Sequence, residues 1–157
     1  WIQSYRSHND PRYFPVIDPH FTLVFPVFDF SEAQFDEEIK RQAAGVRKFD
    51  FEIKVATVNR DISGEYYHEF LVPDRGYADI VKLHDKLYSG VLAPHLRLDI
   101  DFIPHIGIGN ADNAHEAKQC VDALNLQGIT IEGTVDTLSV IKFSNNAVVT
   151  IATISLL

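Results

Sequence analysis

The sequence predicts an α+β protein built as two similar halves, with two antiparallel sheets lining a central cleft, helices outside, and a pseudo-twofold relation between the halves. Three observations predict it. A Pro-His segment, Pro19-His20-Phe21-Thr22-Leu23, has an echo about half a chain later, Pro104-His105-Ile106-Gly107-Ile108. Each segment is followed by a helical pattern, and each helical pattern by two strand patterns. Apolar and polar residues alternate within those strand patterns, as in sheets with one wet face.

The elements follow in order. Residues 1–9 read as a helix that stops before Asp10-Pro11, because the residue before proline avoids the α region. Asn9-Asp10-Pro11 reads as a turn. Val16 to Pro26 contains the first motif strand. Side chains at i and i+2 share a face, so His20 and Thr22 point one way, and Phe21, Leu23 and Phe25 the other. Ser31 with Gln34 forms a capping box, and Phe35, Ile39, Ala43 and Val46 make one apolar stripe. Acidic Glu32, Asp36, Glu37 and Glu38 stand near the helix start, and Lys40, Arg41 and Arg47 near its end, as the dipole favours.

Phe49, Phe51, Ile53 and Val55 alternate with Asp50, Glu52 and Lys54, which predicts a half-buried strand. A turn over Asn59 to Gly64 returns it as Glu65 to Val72, ended by Pro73-Asp74. Ile80, Leu83, His84 and Leu87 mark a shorter helix before Gly90. Ala93 to Asp101 has no clear pattern. Phe102 to Gly109 reads as the second motif strand, with His105, Gly107 and Gly109 on one face and Ile106 and Ile108 on the other. Asp112 or Asn113 caps a helix whose stripe is Ala117, Cys120, Val121 and Leu124. Ile129 to Phe143 and Ala147 to Ile154 are strand-rich stretches joined by a Ser144-Asn145-Asn146 turn, and they suggest a second antiparallel pair.

Composition bounds the function. A chain of 157 residues with 46% apolar and 23% charged residues fits one domain, 1–157, that can bury a core. A formal charge of −8 argues against long nucleic acid held on a broad basic surface. It leaves room for a small phosphorylated ligand or an RNA end. No apolar run is long enough to span a membrane, and no signal-peptide pattern opens the chain. The single Cys120 cannot form an internal disulfide, which points to a reducing, cytoplasmic setting; its helical position reads as core rather than as a nucleophile.

Two imidazoles across a cleft suit phosphoester chemistry. One takes a proton from water or a hydroxyl, and the other gives one to the leaving oxygen. A hydroxyl two residues on, as at Thr22, can hydrogen-bond a phosphate oxygen as charge develops there. No metal is required, and no pair of histidines has helical H-x-x-x-H spacing for zinc. The other histidines have blander readings: His8, His95 and His115 on loops or solvated faces, His84 in packing. His68 alternates with Tyr66 and Phe70 and is a candidate for the cleft. Gly107-Ile108-Gly109 lacks the third glycine of a phosphate loop. Tyr66, Tyr67, Phe28 and Phe30 read as core by default, any one of them able to stack on a base. Arg97, Lys54 and Lys142 read as solvated surface.

The two segments resemble the paired motifs of the 2H phosphoesterase superfamily, in its 2′-5′ RNA ligase-like and cyclic phosphodiesterase branch. The family pattern is histidine, any residue, threonine or serine, then an apolar residue, twice. His20-Phe21-Thr22-Leu23 fits it in full. His105-Ile106-Gly107-Ile108 departs from it at Gly107, which has no hydroxyl. The resemblance implies a bilobal fold and a phosphodiesterase without metal or other cofactor, acting on 2′,3′-cyclic or related cyclic nucleotide phosphates or 2′-5′ linkages at RNA ends. It implies catalysis by His20 and His105, with Thr22 and the Gly107 position at the phosphate. It also implies a strand before Trp1. The expected partner is a small nucleotide or RNA-end substrate, and the expected state a monomer. The alternative is a binding protein of the same fold that Gly107 has weakened as a catalyst.

Overall fold

The computed structural model describes residues 1–145 and 147–157. In chain order the elements are α1 (Ile2–Asn9), α2 (Glu32–Ala43), β1 (Phe49–Arg60), β2 (Tyr67–Arg75), α3 (Tyr77–Leu87), a 3-10 helix (Gly90–His95), β3 (Ile106–Ala111), α4 (Ala114–Leu126), β4 (Ile131–Val135), β5 (Thr137–Ser144) and β6 (Ala147–Ser155). The class is α+β, with one four-stranded antiparallel sheet in the order β3-β2-β1-β4 and a second sheet of β5 and β6.

Local chemistry sets the helix starts. The Ser31 hydroxyl accepts from Gln34 N while the Gln34 side chain accepts from Ser31 N, a complete capping box. Of the two candidates for the later cap, Asn113 takes the place, its side chain accepting from Glu116 N at 2.9 Å.

Two apolar clusters form. One joins α2, α3 and the second sheet through Ile39, Leu83, Leu87, Leu138 and Val140. The other joins the four-stranded sheet to α4 through Ile53, Leu71, Ile106, Ile108, Val121 and Leu124. The first motif segment lies where they meet: Phe21 packs on the second cluster, and Leu23 and Val24 on the first.

Several expectations are corrected. Val16 to Pro26 contains no strand and belongs to neither sheet among the described residues. Its backbone groups are taken by side chains of α3 and the residue after it. His84 Nδ1–H donates to Leu23 O at 2.7 Å, and Phe25 N–H donates to the Tyr88 hydroxyl at 2.9 Å. Pro19 and Pro26 bring no N–H of their own. The second motif strand begins at Ile106, so His105 stands just before β3 rather than within it.

Pro73 does not end β2, which runs on to Arg75. Pro73 sits opposite Ile53 at an irregularity in the pairing, where a missing N–H is tolerated. Ile129 to Phe143 is not one strand stretch; the chain breaks at Asp136, and β4 and β5 join different sheets. The β5–β6 pair expected from sequence is present, while its turn reaches Asn146, outside the described residues.

The two hairpins cross between halves. The first-half hairpin, β1–β2, pairs with β3 of the second half. The second-half hairpin lies beside the first half, with Val148 N–H donating to Val16 O at 3.4 Å. No helix among the described residues is long and apolar enough to cross a membrane.

Candidate functional site

The two motif histidines are held in the same way. His20 Nδ1 lies 2.7 Å from Asp18 O, and His105 Nδ1 lies 2.6 Å from Ile103 O. A carbonyl only accepts, so both rings carry the proton on Nδ1 and, when neutral, present a lone pair at Nε2. In each case the carbonyl belongs to the residue two positions upstream, next to the motif proline. The X-Pro-His segment thus sets the ring orientation from within the motif itself.

His20 is exposed, and its Nε2 accepts from the Thr22 hydroxyl at 3.0 Å. The shared strand-like face expected for these two side chains therefore holds without a sheet. His105 is half-buried, and its ring stacks on Phe70 with centroids 3.5 Å apart and planes at 17°. Burial pushes its pKa down to about 4. The Ile103 carbonyl works against that shift, and positive charge on His68 or His20 adds to it. The three imidazoles thus share one electrostatic neighbourhood.

Gly107 pairs with Phe70 across β3 and β2. A Cβ placed at Gly107 would meet nothing within 4 Å. Nothing inside the chain requires glycine there, and the space beside His105 is open. Gly109 is different, because a Cβ there would come within 2.5 Å of Glu69 Oε2.

Phe70 and His68 lie on the face of β2 opposite Glu69 and Leu71, which turn toward α1 and α4. Along that face the rings of Tyr66, His68, Phe70 and His105 run in sequence, with neighbouring centroids 4.9, 5.0 and 3.5 Å apart. Tyr13 joins them from the turn after α1, 6.0 Å from His68. Asp10 fixes that turn. Its carboxylate pairs with Arg6 at 2.9 Å and accepts from Tyr13 N and Asn110 Nδ2, and all but 3% of its side chain is buried.

The remaining candidates separate clearly. His84 is buried, stacked on Phe102, and serves packing as expected. His8 and His115 are exposed, though on helices rather than loops. His95 is half-buried in the 3-10 helix, 3.5 Å from Asp29. Arg97, Lys54 and Lys142 are surface residues paired with Asp99, Glu52 and Glu32. Phe28 is not core, being 93% exposed, whereas Tyr66 is buried. Cys120 is half-buried rather than part of the apolar stripe; burial and the adjoining Glu69 carboxylate raise its thiol, which leaves little thiolate. Among the described residues no three His, Cys, Asp or Glu side chains are grouped to hold a metal ion.

A family model described as the 2′-5′ RNA ligase superfamily matches residues 1–147. The chain belongs to this superfamily, that of the 2H phosphoesterases. A protein of Geobacillus kaustophilus is 30% identical over 139 residues, covering 87% of this chain and 76% of its own length. One from Geobacillus sp. strain WCH70 has the same identity and coverage, and one from Bacillus licheniformis is 26% identical over 136 residues, 85% of this chain and 76% of its own. The names of all three provisionally assign them to the phosphoesterases. Within the 2H pattern this chain keeps both histidines and the first hydroxyl and lacks the second.

Sequence reasoning missed Asp61, Tyr13 and Phe70 as neighbours of the site. Only the Tyr66, His68, Phe70 alternation signalled the ring series. Asp61 and Tyr13 reach it from turns, where spacing carries no register.

Proposed function

We propose that this chain is a metal-independent phosphodiesterase acting on 2′,3′-cyclic or related cyclic nucleotide phosphates, or on 2′-5′ linkages at RNA ends, in a pseudo-twofold cleft between two lobes. The reading rests above all on the matched imidazoles. Both carry Nδ1–H on a carbonyl two residues upstream, both leave Nε2 for chemistry, and a charge on His20 is felt at His105. Superfamily membership and the names of the relatives support the phosphoesterase class.

In this mechanism His105, kept neutral by burial, is the general base. Its Nε2 takes a proton from water as the water oxygen bonds to phosphorus. His20, protonated on Nε2, gives that proton to the ribose oxygen as its bond to phosphorus breaks. The products are a phosphomonoester and a free hydroxyl, and exchange with solvent resets the two rings. Thr22 stands 3.0 Å from His20 Nε2, so its hydroxyl reaches the phosphate that the ring serves. A positioned acid or base contributes roughly 10²–10⁴-fold. Replacing either histidine with Ala should therefore lower hydrolysis of a nucleoside 2′,3′-cyclic phosphate by at least 10²-fold, with folding intact by circular dichroism. Unchanged turnover in both variants ends the proposal.

A second reading is favoured by Gly107: a protein that binds a nucleotide or RNA end and no longer turns it over. Loss of one oxyanion donor costs on the order of 10²–10³ in rate. Saturable binding of a cyclic nucleotide without product after long incubation supports this reading, and measurable turnover excludes it.

A further inference from the structure

His68 is the imidazole that the acid–base scheme does not use. It sits on β2 two residues from Phe70, opposite Asn59 and Asn110 on the flanking strands. Its ring stacks on Phe70, as does that of His105. The two imidazole centroids are therefore no farther apart than 5.0 Å and 3.5 Å laid end to end. That is the span between neighbouring anionic groups of one small ligand.

The ring is aimed. His68 Nε2–H donates to Asp61 Oδ2 at 3.0 Å. Burial alone would raise the Asp61 carboxyl, but hydrogen bonds from Ser63, His68 and Tyr66 outweigh it and hold the carboxyl below the usual range. The carboxylate thus orients the ring and compensates a charge on it, and the charged ring carries a second donor at Nδ1–H. A ring serving only as packing needs no such partner, and phenylalanine fills that role at position 70. The Arg12 guanidinium lies 4.2 Å above the Tyr66 ring and pairs with Asp112 at 3.1 Å.

We propose that His68, held by Asp61, forms a second anion subsite, so that the ligand presents one phosphate to His20 and His105 and another to His68. The inference rests on the phosphodiesterase reading for the first phosphate. It narrows the ligand class to nucleotides that carry two phosphate groups, such as an RNA end with its flanking phosphate.

Isothermal titration of the full chain with a nucleoside 3′,5′-bisphosphate and the matching 3′-monophosphate tests it. One charge-assisted hydrogen bond makes the bisphosphate bind about 10-fold more tightly or better. His68→Gln should reduce that preference to about twofold or less. Asp61→Asn, which keeps the shape but loses the charge, should reduce it too and serves if His68→Gln does not fold. Equal affinity for the two ligands, binding of neither, or a preference that survives both substitutions overturns the subsite. Hydrolysis of a 2′,3′-cyclic phosphate by the unmodified protein is measured alongside. Preference without turnover overturns the enzyme reading alone, and turnover without preference overturns the subsite alone.

Discussion

Burial of His105 has a thermodynamic consequence that urea can read. The perturbation is a fall in pH from 7 to 4. The ring titrates near 6.5 when unfolded and near 4 in the folded chain. Between those values the unfolded state binds more protons, so unfolding free energy rises with pH. The contribution is fully present above 6.5, falls as pH drops through the window, and is gone below 4. At 1.36 kcal/mol per unit, the shift amounts to about 3 kcal/mol. That is a large share of a stability of about 5–15 kcal/mol.

The assay is equilibrium urea unfolding of the unmodified protein and of His105→Gln at several pH values between 7 and 4. Other groups titrate in both proteins, so the difference between the two curves isolates His105. The unmodified protein should lose about 3 kcal/mol more than the variant across the window. Parallel curves would refute the argument, as would an NMR titration placing the His105 midpoint near 6.5. Either result would mean that Phe70 does not exclude water from the ring, and the neutral general base assigned above would lose its support.

Two further outcomes are expected. Gly107→Ser adds a hydroxyl where a Cβ meets nothing within 4 Å, so it should fold normally and raise kcat/KM on a cyclic nucleotide by about 10-fold or more; no gain would show that the missing donor is not what limits the rate. Asp10→Ala leaves the buried Arg6 charge unpaired and frees the turn that carries Tyr13, and should cost about 3–5 kcal/mol in urea unfolding; a loss below about 1 kcal/mol would show that water reaches the pair.

Much of the fold was legible because short-range chemistry decides it. The Ser31 capping box, the stripe of α2 and the alternation of β1 each depend on residues within a few positions, and each formed. The reading failed where long-range pairing decides. Val16 to Pro26 has strand alternation, but His84 and Tyr88 capture its backbone groups from elsewhere in the chain. Ile129 to Phe143 reads as one stretch, yet its two ends serve different sheets.

The sequence by itself determined the chemistry on offer: two Pro-His motifs at half-chain spacing, one with a hydroxyl two residues on and one with glycine. It also determined how each ring is held, because the carbonyl that fixes its tautomer lies two residues upstream in the same segment. Only the tertiary structure decided how the rings differ. Phe70 covers His105 and depresses its pKa, while His20 stays exposed beside Thr22. Burial and field depend on residues brought in from other strands and turns, and a periodicity along one strand holds no record of them.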